Sequence, residues 1–267
     1  LDGRYTHHAI FDETIKFIKN NKDKPFFLYC PWTPPHAAYQ IPEDEPAWKM
    51  YKDKPWPHDA RVAAAMDTMM DRHVGEISAL LKKLGIYQNT LMFFTSDNGA
   101  AKRFDGIHNS SGVMQGKKRS LNEGGIRVPM VVRWPDKIKA GRVSSHPWYF
   151  PDVMPTFAEI GGVSTEVPED IDGISILPTL LDKGVQKQHE YMFWQYGVRA
   201  VRSGKWKGIG KGGHLYLYDL SEDIEEKNDL SSKHPEIAAR MKKYITIGYR
   251  EPRSQKDDGK YTGKDKK

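Results

Sequence analysis

The sequence predicts an α/β fold followed by a small antiparallel subdomain that contains strands and one helix. Two apolar runs of strand length, at residues 25–30 and 91–95, lie on either side of a long stretch with helical periodicity. A strand, a helix and a strand in this order form a β-α-β unit, in which the two strands are parallel. Nearer the C-terminal end, residues 199–202 and 205–209 are separated by Ser-Gly, a pattern typical of an antiparallel hairpin.

Apolar residues at helical spacing predict two helices in the first third of the chain. One covers residues 8–20, and the other is predicted to be capped by Asp59 and stopped by Gly85. The Met and Leu side chains along the second helix indicate core packing. Residues 40–58 are rich in Pro, Trp and charged residues, and they are predicted to form a long surface loop.

The remaining predicted elements are shorter. An apolar run at residues 130–134 predicts a third core strand, and residues 152–160 predict a short helix closed by two glycines. Residues 174–181 are predicted to pack back on the core. Residues 214–220 alternate as a strand does, and residues 235–247 have the pattern of an amphipathic helix.

These elements divide the chain into three parts. Residues 1–183 are predicted to belong to the α/β core, and residues 184–250 to an antiparallel sheet with one helix. Residues 251–267 are charged and poor in apolar side chains, so they are predicted to be a disordered tail.

Composition excludes several classes of protein. No apolar stretch in the 267 residues is long enough to cross a membrane, so no membrane span is predicted. The net charge of +6 is modest and spread along the chain; it permits an anionic substrate, and we predict no nucleic-acid partner. Cys30 is the only cysteine, which excludes an intrachain disulfide and a cysteine-built metal cage. The oligomeric state has no signal in the sequence.

A candidate metal site lies where the apolar run at residues 91–95 ends, at Asp97, Asn98 and Gly99. In open α/β sheets, ligands bind beyond the carboxyl ends of the strands. A tight hairpin turn is the alternative interpretation of Asn-Gly, but the residues that follow do not alternate as a second strand would. Carboxylate and amide oxygens suit Ca²⁺ or Mg²⁺, and such ions need more oxygen ligands than these two side chains supply.

Two basic groups are candidates for contact with an anion. His36 follows the run at residues 25–30, and the parallel pairing predicted above places it at the same sheet edge as the candidate metal ligands. Lys118 is the second candidate. The alternatives are a loop histidine that caps a carbonyl group and a solvated basic cluster around Lys118. The polar loop at residues 100–116, which contains His108, is predicted to face a substrate.

Several motifs occur in an order and spacing that are specific. They are residues 94–99 (FTSDNG), residues 116–129 (GKKRSLNEGGIRVP) and the Trp-Pro pair at 134–135. These segments resemble the type I sulfatase family. Residues 25–36 resemble the strand and loop that precede these motifs in that family, and residues 217–230 resemble its C-terminal subdomain.

The resemblance implies the fold and part of the metal chemistry. The implied fold is an alkaline-phosphatase-like α/β/α sandwich, of which this chain is the C-terminal part, followed by the small antiparallel α+β subdomain. Asp97 and Asn98 are then two of the ligands of a Ca²⁺ ion, with Mg²⁺ as the alternative. The family's nucleophile is a hydrated formylglycine, made from the first residue of a Cys/Ser-x-Pro/Ala-x-Arg motif.

The resemblance also implies roles for four basic side chains. His36 and Lys118 are expected to be catalytic, in contact with the sulfate group or the leaving oxygen. His108 and Arg119 are expected to bind the substrate. The reaction is metal-assisted hydrolysis in which a histidine or lysine assists the departing alcohol.

The formylglycine motif itself is not found in the sequence. Residues 30–34 have Pro at the wrong offset and no Arg, and residues 145–149 end in Tyr where the motif has Arg. The paired aspartates that complete the family's metal site are missing as well. We therefore expect the formylglycine upstream of Leu1, and we expect this chain to carry about half of an active site and to be inactive alone.

The predicted function is a sulfuric ester hydrolase that acts on a sulfated carbohydrate or an aryl sulfate. One alternative is a phosphodiesterase or phosphonate hydrolase of the same superfamily. The other is a non-catalytic homologue that binds anionic glycans through basic side chains such as Lys118 and Arg119. The resemblance implies a protein that is exported to the periplasm or the exterior, or is lysosomal.

Overall fold

Two antiparallel sheets and seven α-helices make up residues 3–251, the part of the chain that the computed structural model describes. Apart from Glu251, the predicted tail lies outside the described residues. Within residues 3–251, no helix is long and apolar enough to cross a bilayer.

The two helices predicted in the first third of the chain are confirmed. Helix α1 covers Thr6–Asn21, and the longest helix, α3, covers His58–Lys83. Asp59 lies in the first turn of α3 and is not its cap, because the helix begins directly after Pro57. Gly85 ends α3 as predicted: its φ is +72°, and its N–H donates to the Lys82 carbonyl group at 3.0 Å.

The prediction of a surface loop over residues 40–58 is wrong in part, because this segment contains helix α2 (Pro46–Tyr51). The Glu45 carboxylate accepts a hydrogen bond from the Ala47 N–H at 3.3 Å, and Pro46 occupies the first turn of the helix. Trp48 is buried and packs with Val62, Met66 and Met69 of α3 in one apolar cluster. The tryptophan belongs to the core and is not a surface group.

The first sheet consists of two strands, β1 (Met92–Thr95) and β2 (Met130–Arg133). Both strands are predicted correctly from their apolar runs, but they pair with each other and are antiparallel, with Phe94 opposite Val131. The predicted strand at residues 25–30 is not formed, so the parallel β-α-β unit was wrong. Within the described residues no strand pairs with this segment, and Phe27 and Tyr29 are 68% and 73% exposed.

One short helix lies between the two strands of the first sheet, and two more connect the first sheet to the second. They are α4 (Glu123–Ile126), α5 (Val153–Ile160) and α6 (Leu177–Leu181). Helix α5 confirms the prediction for residues 152–160, and it is preceded by a single 3-10 turn that ends at Asp152. The Asp152 carboxylate is buried and accepts hydrogen bonds from the backbone N–H groups of Tyr149 and Ile174.

The second sheet has four antiparallel strands in sequence order. They are β3 (Met192–Tyr196), β4 (Val198–Ser203), β5 (Trp206–Lys211) and β6 (His214–Asp219). The hairpin and the strand β6 were predicted, whereas β3 was missed because its residues do not alternate. Helix α7 (Pro235–Ile247) covers one face of the sheet, where Met241 packs with Val201, Leu215 and Leu217.

Candidate active site

Asp97 and Asn98 follow β1 directly, as the sequence predicts. The Asp97 side chain is exposed and Asn98 is half-buried. The hairpin alternative does not hold, because residues 96–129 lie between Thr95 and its partner Met130. Within residues 3–251 neither side chain is engaged in a hydrogen bond or an ion pair, so the carboxylate and amide oxygens face no competing protein group.

A junction of glycines fixes the backbone beside these two side chains. The Gly99 N–H donates to the Gly125 carbonyl group at 2.9 Å, and the Gly124 N–H donates to the Gln115 carbonyl group at 2.6 Å. A Cβ atom on Gly99 would lie 2.8 Å from the Gly124 carbonyl carbon, closer than real Cβ contacts. The FTSDNG and EGG motifs therefore need glycine because their backbones touch.

The same junction brings Lys118 to the site. Its N–H donates to the Ala100 carbonyl group at 2.8 Å, two residues beyond Asn98. Lys118 is half-buried, and Arg119 beside it is exposed with φ +75°. The Ser120 N–H donates to the Lys117 carbonyl group at 2.8 Å, so Arg119 occupies the position of a tight turn that glycine usually takes.

His36 is exposed in the loop after residue 30, and its own backbone restrains it. Its N–H donates to the Thr33 carbonyl group at 2.9 Å, and its Nδ1 lies 2.6 Å from the Ala37 carbonyl oxygen. Because a carbonyl oxygen only accepts, Nδ1 carries the proton and Nε2 is the free nitrogen. The carbonyl-capping alternative is therefore present, and it leaves one ring nitrogen available.

The loop at residues 100–116 packs on the segment that precedes α3. His108 lies edge-on to Trp56, with ring centroids 5.5 Å apart, and its Nε2 is buried without a hydrogen-bond partner among the described residues. Arg103 contacts Asp59 at 2.7 Å and lies over the Tyr39 ring. The loop predicted to face a substrate therefore contacts the segment at residues 40–58, which was predicted as a surface loop.

The structure brings Asp97, Asn98 and Lys118 together through the backbone. Within residues 3–251, no hydrogen bond or ring contact joins His36 or His108 to that group. In the same part of the chain, no set of three or more His, Cys, Asp or Glu side chains is arranged to hold a metal ion.

A buried ion cluster next to this site was not predicted. Lys207 of β5 is completely buried, and its ammonium group lies 2.8 Å from a Glu123 carboxylate oxygen and 3.0 Å from a Glu226 carboxylate oxygen. The second Glu226 oxygen accepts a hydrogen bond from the Glu123 N–H at 2.7 Å. One signal was available, because Lys207 shares a face of its strand with the apolar Ile209.

A buried histidine pair also escaped prediction. His7 Nε2 lies 2.9 Å from His73 Nδ1, and both side chains are almost fully buried between α1 and α3. Burial lowers the pKa of each ring to about 4, because the charged form would lose its hydration. The pair is therefore neutral at pH 7 and joins the two helices.

Comparison with known proteins decides the family. A family model described as Sulfatase matches residues 2–163, more than half of the chain. The chain belongs to the sulfatase family. A second model, described as N-sulphoglucosamine sulphohydrolase, C-terminal, matches residues 115–249. The resemblance found in the sequence motifs is thereby confirmed.

Among similar sulfatases of known name is the steryl-sulfatase of Mus musculus, which is 34% identical over 213 residues, covering 74% of this chain and 32% of the relative. The N-acetylgalactosamine-6-O-sulfatase of Bacteroides thetaiotaomicron is 30% identical over 267 aligned positions, covering 88% and 49%. The chain thus spans half or less of the length of these relatives.

Solved structures give the same fold. The crystal structure of Ps i-CgsB matches with a TM-score of 0.82 and 29% identity, over 92% of this chain and 55% of that one. The phosphonate monoester hydrolase of Agrobacterium radiobacter matches with a TM-score of 0.64 at 21% identity, which shows the fold alone. The predicted alkaline-phosphatase-like α/β fold is confirmed.

Proposed function

We propose that the protein containing this chain is a sulfuric ester hydrolase and that this chain supplies one side of its active site. The observation that carries the proposal is the glycine junction, which holds the free oxygens of Asp97 and Asn98 beside the turn of Lys118. A cation site next to an ammonium group suits a substrate with a compact anionic group. The proposal concerns the whole protein, because the chain covers about half of its relatives.

The metal of this proposal is Ca²⁺, with Mg²⁺ as the alternative. The donor set fits a hard cation, because a carboxylate and an amide oxygen stand free in the described residues. Ca²⁺ takes about six to eight oxygen ligands, so other groups of the protein and the substrate would supply the rest. When bound, the ion would draw electron density from the sulfate group.

The chain's own side chains then have distinct roles. The Lys118 ammonium group neutralises charge on the sulfate group, and Arg119 and His108 contact the substrate around it. His36 faces the leaving oxygen with Nε2, since Nδ1–H is held by the Ala37 carbonyl group. A protonated Nε2 can give its proton to the departing alcohol. The nucleophile, a formylglycine, belongs to a part of the protein outside this sequence.

A carbohydrate sulfate is the substrate class that we favour over an aryl sulfate. Ps i-CgsB binds an oligosaccharide, k-i-k-neocarrahexaose, and matches this chain with a TM-score of 0.80. The Bacteroides relative is named for a sulfate on N-acetylgalactosamine. We also propose an exported or lysosomal location, as inferred from the family.

The phosphonate hydrolase alternative is supported only by the shared fold, whereas the relatives of 30% identity or more cited above are named as sulfatases. The experiment that separates the sulfatase proposal from the phosphonate hydrolase alternative uses the protein from its complete reading frame. It is assayed with an aryl sulfate, a sulfated oligosaccharide and an aryl phosphonate, each with added Ca²⁺ and with a chelator. We expect turnover of a sulfate ester that the chelator abolishes.

The matched variants for this assay are Lys118→Ala and Lys117→Ala, which remove neighbouring lysines of different burial. Only the first should reduce turnover strongly. Preference for the phosphonate would replace the proposal with the alternative. Binding of a sulfated oligosaccharide without any turnover would favour a non-catalytic glycan-binding protein instead.

A further inference from the structure

Lys207 is the second residue of β5 in the C-terminal sheet, and its ammonium group contacts Glu123. Glu123 directly precedes the two glycines that contact the loop of the candidate metal ligands. We propose that Lys207 is a positioning residue for the loop of Asp97 and Asn98, and that it acts through Glu123. The part of this proposal that concerns the metal rests on the proposed function. The part that concerns the loop does not.

The first step runs from Lys207 to Glu123. The lysine bridges one carboxylate oxygen of Glu123 at 2.8 Å and one of Glu226 at 3.0 Å. The second carboxylate oxygen of Glu226 accepts a hydrogen bond from the Glu123 backbone N–H at 2.7 Å. Glu123 is therefore held at both its side chain and its backbone, at the first residue of α4.

The second step runs from Glu123 to the metal ligands. Gly124 and Gly125 follow it directly, and the Gly125 carbonyl group accepts the Gly99 N–H at 2.9 Å, one residue after Asn98. A Cβ atom on Gly125 would lie 2.7 Å from Ser120 Oγ, so this segment has no space in which to move independently. A shift of Glu123 is thus transmitted to Asn98 through one short hydrogen-bonded path.

Electrostatics explains why the cation is needed. Glu123 and Glu226 are 2% and 3% exposed, so each carboxylate is removed from water. Without Lys207 the two buried negative charges would repel each other at the start of α4. Arg127 and Arg202 lie 3.6 and 3.9 Å from Glu123, too far for close hydrogen bonds, and neither forms an ion pair with Glu226 within the described residues.

The test compares Lys207→Met and Glu226→Gln with Lys205→Met in the protein from its complete reading frame. Lys205 lies just before β5 and pairs at 2.6 Å with Asp219, away from α4, so it is a matched lysine without the proposed role. Glu226→Gln keeps an oxygen that can accept the Glu123 N–H but removes one charge. Glu226→Gln therefore tests the role of the charge cluster if Lys207→Met does not fold.

Two measurements are made on each folded variant. Hydrogen–deuterium exchange of peptides that contain Gly99 reports the path directly, and we expect faster exchange there than in the parent protein. Calorimetric titration with Ca²⁺ reports the metal site, and we expect affinity to fall about tenfold, as for other groups that orient ligands from behind. Lys205→Met should match the parent protein in both measurements.

Unchanged exchange at Gly99 in a folded Lys207→Met protein, or in Glu226→Gln if that is the only folded variant, would overturn the proposal. Faster exchange with unchanged Ca²⁺ affinity would overturn its metal part. If the parent protein binds no Ca²⁺ and hydrolyses no sulfate ester, the proposed function fails, while the exchange data still decide whether Lys207 holds the loop.

Discussion

Two regions of the candidate site differ in whether their carboxylates are paired. One is the rim, formed by Asp97, Asn98 and the turn of Lys118 and Arg119, and the other is the buried cluster of Glu123, Lys207 and Glu226. At the rim, Asp97 is exposed and unpaired within the described residues. In the cluster, Glu123, Lys207 and Glu226 are all buried and each is paired. A free carboxylate costs little in water, whereas an unpaired one in the interior would cost several kcal/mol, on the order given by desolvation.

The fold leaves side-chain oxygens unpaired at the rim, where a ligand could reach them, and pairs the charges in the cluster. Pairing the rim groups would satisfy them but would remove the oxygens that a cation needs. Leaving the cluster unpaired would free its charges but would destabilise the junction that carries the rim. Substitutions in the two regions should therefore separate activity from stability.

The largest expected effect is on activity, at the rim. Asp97→Ala should lower sulfatase turnover in the protein from its complete reading frame by about 1,000-fold, because metal assistance contributes several kcal/mol. Its free energy of unfolding should change by no more than about 0.5 kcal/mol in the absence of Ca²⁺, as for other exposed positions. Enzyme assays and urea unfolding measure the two quantities.

Asp105→Ala is the control for this prediction, since Asp105 is exposed in the following loop. It should retain turnover. A large loss of stability in Asp97→Ala, with turnover lowered only in proportion, would mean that the rim is a structural element and not a metal site.

The next largest effect is expected at the junction that joins the two regions. Gly99→Ala would place a Cβ atom 2.8 Å from the Gly124 carbonyl carbon, and backbone cannot yield as a side chain can. The free energy of unfolding should fall by about 3 kcal/mol, as in an overpacked core. Gly75→Ala in α3, where nothing lies within 4 Å, is the control and should be stabilising by about 1 kcal/mol. Equal effects of the two substitutions would contradict the close packing.

Local patterns predicted more of the fold than of its pairings. Helices α1 and α3 and strands β1, β2 and β6 follow from apolar spacing, which acts over a few residues. The antiparallel pairing of β1 with β2 and the burial of Trp48 depend on contacts between distant segments. Residues 25–30 have the composition of a strand but no pairing partner within the described residues, so the pattern alone misled.

The candidate site divides in the same way. Asp97, Asn98 and Lys118 were predicted from short motifs, and the structure joins the segments that contain them through backbone hydrogen bonds, while their roles stay predictions. Lys207 and Glu123 are 84 residues apart, and no local pattern records an ion pair over that distance. The only local signal of the cluster is that Lys207 lies on the apolar face of its strand.

A pH-dependent effect of moderate size is expected at the His7–His73 pair, a buried cluster that is neutral where the Lys207 cluster is charged. Burial lowers the pKa of both rings to about 4, from about 6.5 in the unfolded chain. The folded state therefore binds fewer protons, so the stability contribution is complete above about pH 6.5 and is lost as the pH falls toward 4.

The measurement is urea unfolding of the chain between pH 7 and 4, compared with the variant His73→Phe. The parent should lose about 2 to 3 kcal/mol over this range through each of these two groups. The variant should show a smaller pH dependence, because one titrating ring is gone and Phe keeps the stacking with Phe11, whose ring centroid lies 3.9 Å from that of His73. Identical pH profiles would show that the pair does not control acid stability.

The smallest effect is expected at Arg119, where the rim itself stores strain. Its φ of +75° lies in the left-handed region, which costs a residue with a side chain on the order of 1 kcal/mol. Arg119→Gly should therefore raise the free energy of unfolding by up to about 1 kcal/mol, and Arg119→Ala should not, since alanine keeps the strain. Both variants should weaken substrate binding to a similar extent, because both remove the guanidinium group. If Arg119→Ala gained as much stability as Arg119→Gly, the cost of this turn would come from the arginine charge and not from backbone strain. The protein would then keep that destabilising charge because it binds the substrate.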